Sequence, residues 1–156
     1  MMGLVGAPAG KREVKAMIPL EEMQGIEDFE GMDRKMVEDL AAAGEVINGS
    51  PGSYLFREGD HADFYYILKE GKVVLEFRQE DGTVLTETVG PGMGVGCSSL
   101  AGLMSYTSDA RCEEASKLLA WPQPKLRHLF NQNERLGYLM MRACAVSLNR
   151  RVAGKL

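Results

Sequence analysis

Few residues in this chain are of the types that carry catalysis. Its two histidines, His61 and His128, fall in a predicted turn and a predicted helix. A metal-dependent jelly-roll enzyme needs several His and carboxylate ligands converging on one ion, so that enzymatic alternative has little to build on. Cys97, Cys112 and Cys144 contain no C-x-x-C pair. An odd, widely spaced set makes a poor disulfide framework and fits a reducing compartment, so a cytoplasmic location is expected. Gly92-Met93-Gly94-Val95-Gly96 has dinucleotide-loop spacing, but it opens no helix after a strand in a βαβ unit and reads as a turn. No catalytic residue, metal or cofactor is assigned, and the expected class is non-enzymatic.

The chain of 156 residues, 45% of them hydrophobic, has room for one domain with a core. Its start lacks the run of about 18 apolar residues that a membrane span requires, and it does not resemble a signal peptide. The formal charge of -4 is unevenly spread. Residues 122–156 carry seven Lys/Arg against Glu134 alone, so the acidic excess lies in residues 1–121. The basic tail is expected to dock on its own acidic body, the rival reading being a nucleic-acid surface.

The elements that would position any site follow from periodicity. Residues 1–16, rich in Gly and Ala without a sustained period, read as a flexible lead-in. Residues 17–45 form an N-terminal helical segment in which Asp33 caps a helix over 34–43 and Gly44 closes it. Residues 46–121 break into short β-like runs at 54–56, 64–68, 72–78, 84–89, 107–112 and 117–121, separated by glycine turns. Val73, Leu75 and Phe77 alternate with Val74, Glu76 and Arg78, the period of a half-buried strand, and Glu80-Asp81-Gly82 fits a hairpin turn. Trp121, Leu118 and Leu119 read as core. Residues 122–156 hold a short helix over 125–130 and a longer one over 134–152. The long helix has two apolar faces. Leu136, Met140, Ala143 and Ser147 define one; Tyr138, Met141, Ala145, Leu148 and Val152 define the other, at the 3-4 spacing of a coiled-coil seam. One face meets the roll; the other either packs within the chain or forms a homodimer through this C-terminal helix.

The stretch Pro51-Gly52-Ser53-Tyr54-Leu55-Phe56-Arg57-Glu58-Gly59-Asp60, with Phe64-Tyr65-Tyr66-Ile67-Leu68 and Glu70-Gly71-Lys72-Val73, resembles the front half of a cyclic-nucleotide-binding domain. Phe29-Glu30-Gly31-Met32 resembles the segment leading into that fold. The resemblance spans roughly residues 17–156 and is to the sensory half of the catabolite activator family. It implies a mainly β fold with flanking helices, a double-stranded β-helix (jelly-roll-like β-roll) of eight strands with an N-terminal helix and C-terminal B and C helices. In that family a helix-turn-helix module follows the sensor. With the chain stopping at Leu156, direct sequence-specific nucleic-acid binding is not expected, and a stand-alone domain acting through a protein partner is.

The family holds its ligand in a phosphate-binding cassette with a glutamate for the ribose and an arginine for the phosphate. Aligned on that pattern, residues 94–112 place Gly96 before the glutamate position, Cys97 at it, Ser98 and Ser99 at the start of a short helix, Tyr106 at the arginine and Thr107 at the following hydroxyl residue. Both charged positions are therefore altered. An arginine bonded to a phosphate contributes about 1.5–3 kcal/mol that tyrosine cannot replace with charge. Affinity for a cyclic nucleotide, cAMP or cGMP, is expected to fall roughly ten- to a hundredfold. Arg111 is a candidate substitute charge. Ser98, Ser99, Thr107 and backbone amides could still hold an anion or polar ligand. Two readings follow: a regulatory, ligand-sensing domain, or a ligand-free protein-interaction module with a degenerate pocket. Cys97, at a helix start, is either a small residue lining the roll or a thiolate of depressed pKa.

Overall fold

The computed structural model describes residues 17–154, so the lead-in expected over 1–16 lies outside the described residues. The segment expected to be helical from residue 17 is two short 3-10 turns, Leu20–Met23 and Glu27–Phe29, ahead of helix α1 at Arg34–Ala43. Asp33 caps α1 by accepting the Met36 N–H at 2.9 Å, which satisfies one of the donors a helix start leaves open.

Eight strands follow: β1 (Glu45–Gly49), β2 (Tyr54–Phe56), β3 (Phe64–Glu70), β4 (Val73–Arg78), β5 (Val84–Val89), β6 (Gly94–Val95), β7 (Asp109–Cys112) and β8 (Ser116–Pro122). They pair antiparallel into two four-stranded sheets, in the orders β1-β8-β3-β6 and β2-β7-β4-β5. A four-residue helix α2 (Cys97–Leu100) lies between β6 and β7, and α3 (Gln123–Gln132) and α4 (Glu134–Val152) follow β8. The expected β-roll with flanking helices is the architecture found. β1 and β6 carry no alternating pattern long enough to mark them in the sequence, and β7 begins at Asp109, leaving Thr107 in the loop before it.

Two apolar clusters divide the side chains, and strand alternation does the dividing. Phe64, Tyr66 and Leu68 of β3, with Leu118 and Ala120 of β8, face the interior of the roll beside Phe56, Leu75 and Tyr106. The intervening Tyr65, Ile67, Leu119 and Trp121 face outward under the helices, where they meet Phe29, Leu40, Leu126, Leu136, Met140 and Cys144. Strands covered on both faces read as continuous apolar runs, as Phe64-Tyr65-Tyr66-Ile67-Leu68 does. Trp121 is fully buried, and its indole N–H donates to the Leu40 carbonyl at 2.8 Å, tying β8 to α1.

Pro124 sits in the first turn of α3, where its missing N–H costs nothing. Asn133 caps α4 by accepting the Leu136 N–H at 3.1 Å. One face of α4 buries Leu136, Leu139, Met140 and Cys144, while Tyr138, Met141, Leu148 and Val152 remain exposed. Ala143 and Ser147, expected on the buried face, are half-buried at its edge. The basic end of α4 docks on the acidic body: Arg150 pairs with Glu27 at 2.7 Å and Arg151 with Glu87 of β5 at 2.5 Å.

Candidate ligand pocket

Gly96 ends β6 in the left-handed conformation at φ 89° and turns the chain into α2. An added Cβ would lie 3.0 Å from the Phe64 carbonyl oxygen and 3.3 Å from the Tyr106 ring, so both conformation and space call for glycine. This turn, α2, the loop through Ser108 and the end of α4 enclose a cavity of about 230 Å³. Gly96, Cys97, Ser98, Tyr106 and Thr107 all line it, so five of the six sequence-assigned residues come together. Ser99 faces elsewhere: it is buried and lines a separate cleft with Gln123 and Leu126, and its carbonyl accepts from the Gln123 side-chain amide at 3.1 Å.

Tyr106 is the most constrained of these residues. It is only 2% exposed, and its ring stacks on Phe56 with centroids 3.6 Å apart and planes 8° from parallel. Its hydroxyl accepts the Phe64 N–H at 2.9 Å and donates to the Phe64 carbonyl at 2.5 Å. Burial pushes the phenol above its ordinary value, so the hydroxyl is neutral. Tyr106, expected at the cassette-arginine position, is thus fastened to the roll wall.

A cation reaches the pocket from a direction the local sequence did not indicate. Cys144, Leu148 and Arg151 of α4, spaced four and three residues apart on one helix face, complete the lining. Arg151, its side chain 15% exposed, holds Glu87 across the space between α4 and β5. Arg111 does not line this cavity; it lies 3.6 Å from Glu76 and 3.8 Å from Glu113. The helical spacing of Cys144, Leu148 and Arg151 was visible in the sequence. The roll wall they face was not.

Of the two readings of Cys97, its place in the cavity lining and the direction of its pKa favour a small residue lining the roll over a thiolate of depressed pKa. Its thiol is pushed up, first by the neighbouring Cys144 thiol and then by burial, while Cys144 is held down by Cys97. A neighbouring thiol and the loss of water both oppose ionisation of Cys97, and they outweigh the partial charge of a one-turn helix start.

A larger cleft of about 480 Å³ lies on another side of α4, with Arg142 and Arg150 facing Glu27, Asp28 and Glu30. Asp28 there accepts from the Tyr65 hydroxyl at 3.2 Å, and burial raises its carboxyl above the usual range. No three His, Cys, Asp or Glu side chains stand as a metal-holding group among the described residues. His61 instead bonds Asp63 at 2.6 Å, and His128 lies on α3 beside Lys125. Among the described residues no helix is long and apolar enough to cross a membrane.

A family model described as the cyclic nucleotide-binding domain matches residues 47–133, more than half of the chain. This chain belongs to the cyclic nucleotide-binding domain family. Its fold matches a structure from Geobacter metallireducens GS-15 described as a cyclic nucleotide-binding protein, with 29% identity, a TM-score of 0.77, and coverage of 87% of this chain and 99% of that one. Thermus thermophilus catabolite activator protein aligns with 24% identity and a TM-score of 0.68 over 81% of this chain and 58% of that one. The regulatory domain of Toxoplasma gondii PKA, solved with cAMP, aligns with 16% identity and a TM-score of 0.70 over 81% and 48%. The glycine turn at Gly96 and the short helix α2 stand where the resemblance leads one to expect the cassette, with cysteine and tyrosine at the positions expected to carry its two charged anchors.

Proposed function

We propose that this chain is a non-enzymatic regulatory sensor that takes a small anionic ligand in the Gly96–Thr107 pocket and reports it through α4. The carrying observation is that one helix does two things. Cys144, Leu148 and Arg151 of α4 close the pocket, while Tyr138, Met141 and Val152 of the same helix stay exposed and apolar, the surface for a protein partner or a second copy.

Arg151 is the anchor in place of the missing cassette arginine. The contacting Arg151 Nε and Glu87 Oε2 are buried, so a ligand phosphate competes with Glu87 by giving the guanidinium a new anionic partner in place. Taking Arg151 from Glu87 removes one of the contacts holding the end of α4. The ligand then shifts the helix because it binds one helix position better than the other. A cyclic nucleotide, cAMP or cGMP, is the first candidate. The cavity of about 230 Å³ is smaller than the roughly 300–1,000 Å³ of ordinary ligand pockets, so α4 has to move outward to admit one.

The test is calorimetric titration of cAMP and cGMP into the wild type and Arg151→Gln, with amide exchange of α4 followed alongside. Binding that weakens ten- to a hundredfold in Arg151→Gln, with faster exchange in α4 on binding, supports the reading. Binding with no change in α4 rejects the reporting role.

A second reading has its own observation. Tyr106, stacked on Phe56 and bonded twice to Phe64, fills the wall where the phosphate partner is expected. A fixed plug suits a ligand-free interaction module. Under that reading neither nucleotide binds, and substitutions along the exposed face of α4 alone abolish partner capture.

A further inference from the structure

We propose that Cys97 and Cys144 are a dithiol switch that a peroxide converts to a disulfide, stapling α4 to α2 across the pocket. The two residues are 47 positions apart in the chain, yet α2 packs against α4 and brings them to one cavity, where each is the neighbour that most affects the other's titration. Both line the same cavity, and both pack on the helical core cluster, Cys144 within it and Cys97 at its edge.

The chemistry follows from two thiols and a cation on one cavity. Of the pair, Cys144 is the thiol lowered by its neighbour, and the positive Arg151 nearby lowers both. The Cys144 thiolate attacks one oxygen of hydrogen peroxide; the O–O bond breaks, hydroxide leaves, and Cys144 becomes a sulfenic acid. The Cys97 sulfur then attacks the sulfenic sulfur. The S–O bond breaks, the departing hydroxide takes the Cys97 proton as water, and a disulfide remains. Two thiols and one peroxide give one disulfide and two waters, with two electrons passing from sulfur to oxygen.

The pocket admits a molecule as small as a peroxide to both sulfurs. Cys112 is the internal control: it is fully buried in the roll cluster beside Ser53 and Ser116, not in the cluster that holds Cys144, and burial raises its thiol. The cross-link would fix α4 against the cassette helix, which opposes the outward movement any sizeable ligand requires. It needs no ligand for its formation or its readout, so it stands or fails apart from the sensor reading.

The experiment treats the full chain with stoichiometric hydrogen peroxide and follows intact mass and non-reducing peptide maps. The expected result is a monomer lighter by two hydrogens, a cross-linked peptide pair containing Cys97 and Cys144, and reversal by dithiothreitol. Cys97→Ser and Cys144→Ser should each abolish the product, and Cys112→Ser should leave it intact. Amide exchange in the last turns of α4 should slow in the oxidised wild type, a readout that needs no variant to fold. Separate sulfinic acids on the two cysteines, a disulfide between two chains, or unreacted thiols would overturn the proposal.

Discussion

Replacing Tyr106 by phenylalanine tests how the pocket wall is built, because it removes a single oxygen while keeping the ring on Phe56. The oxygen takes part in two hydrogen bonds with the Phe64 backbone, at 2.9 and 2.5 Å, in a position only 2% exposed. Each such bond is worth about 0.5–1.5 kcal/mol net, and leaving buried groups poorly matched raises the cost, so Tyr106→Phe should lose roughly 1–3 kcal/mol. For a domain of this size that corresponds to a melting point lower by about 3–10 °C. The assay is urea unfolding followed by the fluorescence of Trp121, the single tryptophan and fully buried. The midpoint should fall with the slope unchanged, since the exposed surface differs by one atom. A midpoint within experimental scatter of the wild type would refute the argument that the hydroxyl, rather than the ring alone, fastens the wall.

Three further outcomes follow from the same geometry. Gly96→Ala should destabilise by about 2 kcal/mol or more, since alanine must hold φ near 89° with its Cβ against the Phe64 carbonyl and the Tyr106 ring; the same urea titration measures it. Asp109 is 3% exposed, accepts the Glu58 N–H at 2.7 Å and pairs with Arg78 at 2.8 Å. Asp109→Ala should therefore cost about 2–3 kcal/mol, moderated because Arg78 is more than half exposed and can rehydrate, as thermal unfolding at neutral pH would show. Stability should also fall at alkaline pH. Burial raises both Tyr65 and Tyr106 above the ordinary 10.0, so the folded state keeps protons that the unfolded state gives up. Stability is then lost as pH rises past 10, at roughly 1.4 kcal/mol per pH unit per tyrosine, and the loss in Tyr106→Phe should be shallower than in the wild type.

Much of the fold was legible because it rests on local signals. The Asp33 cap and helical spacing placed α1 at Arg34–Ala43, and α4 was read with the ends it has, Glu134–Val152. β2 and β5 likewise sit where alternation and turns put them. β1 and β6 were missed because their order comes from pairing: Val46 and Ile47 lie against Leu119 and Leu118, and Gly94-Val95 lies against Ile67 and Tyr66. The candidate site was half legible for the same reason. Gly96 to Thr107 is a local stretch whose resemblance could be quoted residue by residue. The ion pair of Arg151 with Glu87 and the meeting of Cys97 with Cys144 join residues more than 45 positions apart, and no local pattern encodes either. Ser99 is turned by one step of helix rotation from the pocket to the α3 side, a placement that spacing along a four-residue helix does not reveal. Leu148 belongs to both surfaces, lining the pocket while 40% exposed on the seam.

The most direct measurement is a thermal-unfolding series of the wild type with cAMP and with cGMP up to millimolar concentration. A ligand a hundredfold above its dissociation constant adds about 2.7 kcal/mol, which for a domain of this size is a shift on the order of 5–10 °C. The sensor account expects a saturable shift with at least one nucleotide, and a smaller one in Arg151→Gln at the same concentration. Melting points that stay flat with both nucleotides throughout the series would contradict nucleotide sensing through this pocket.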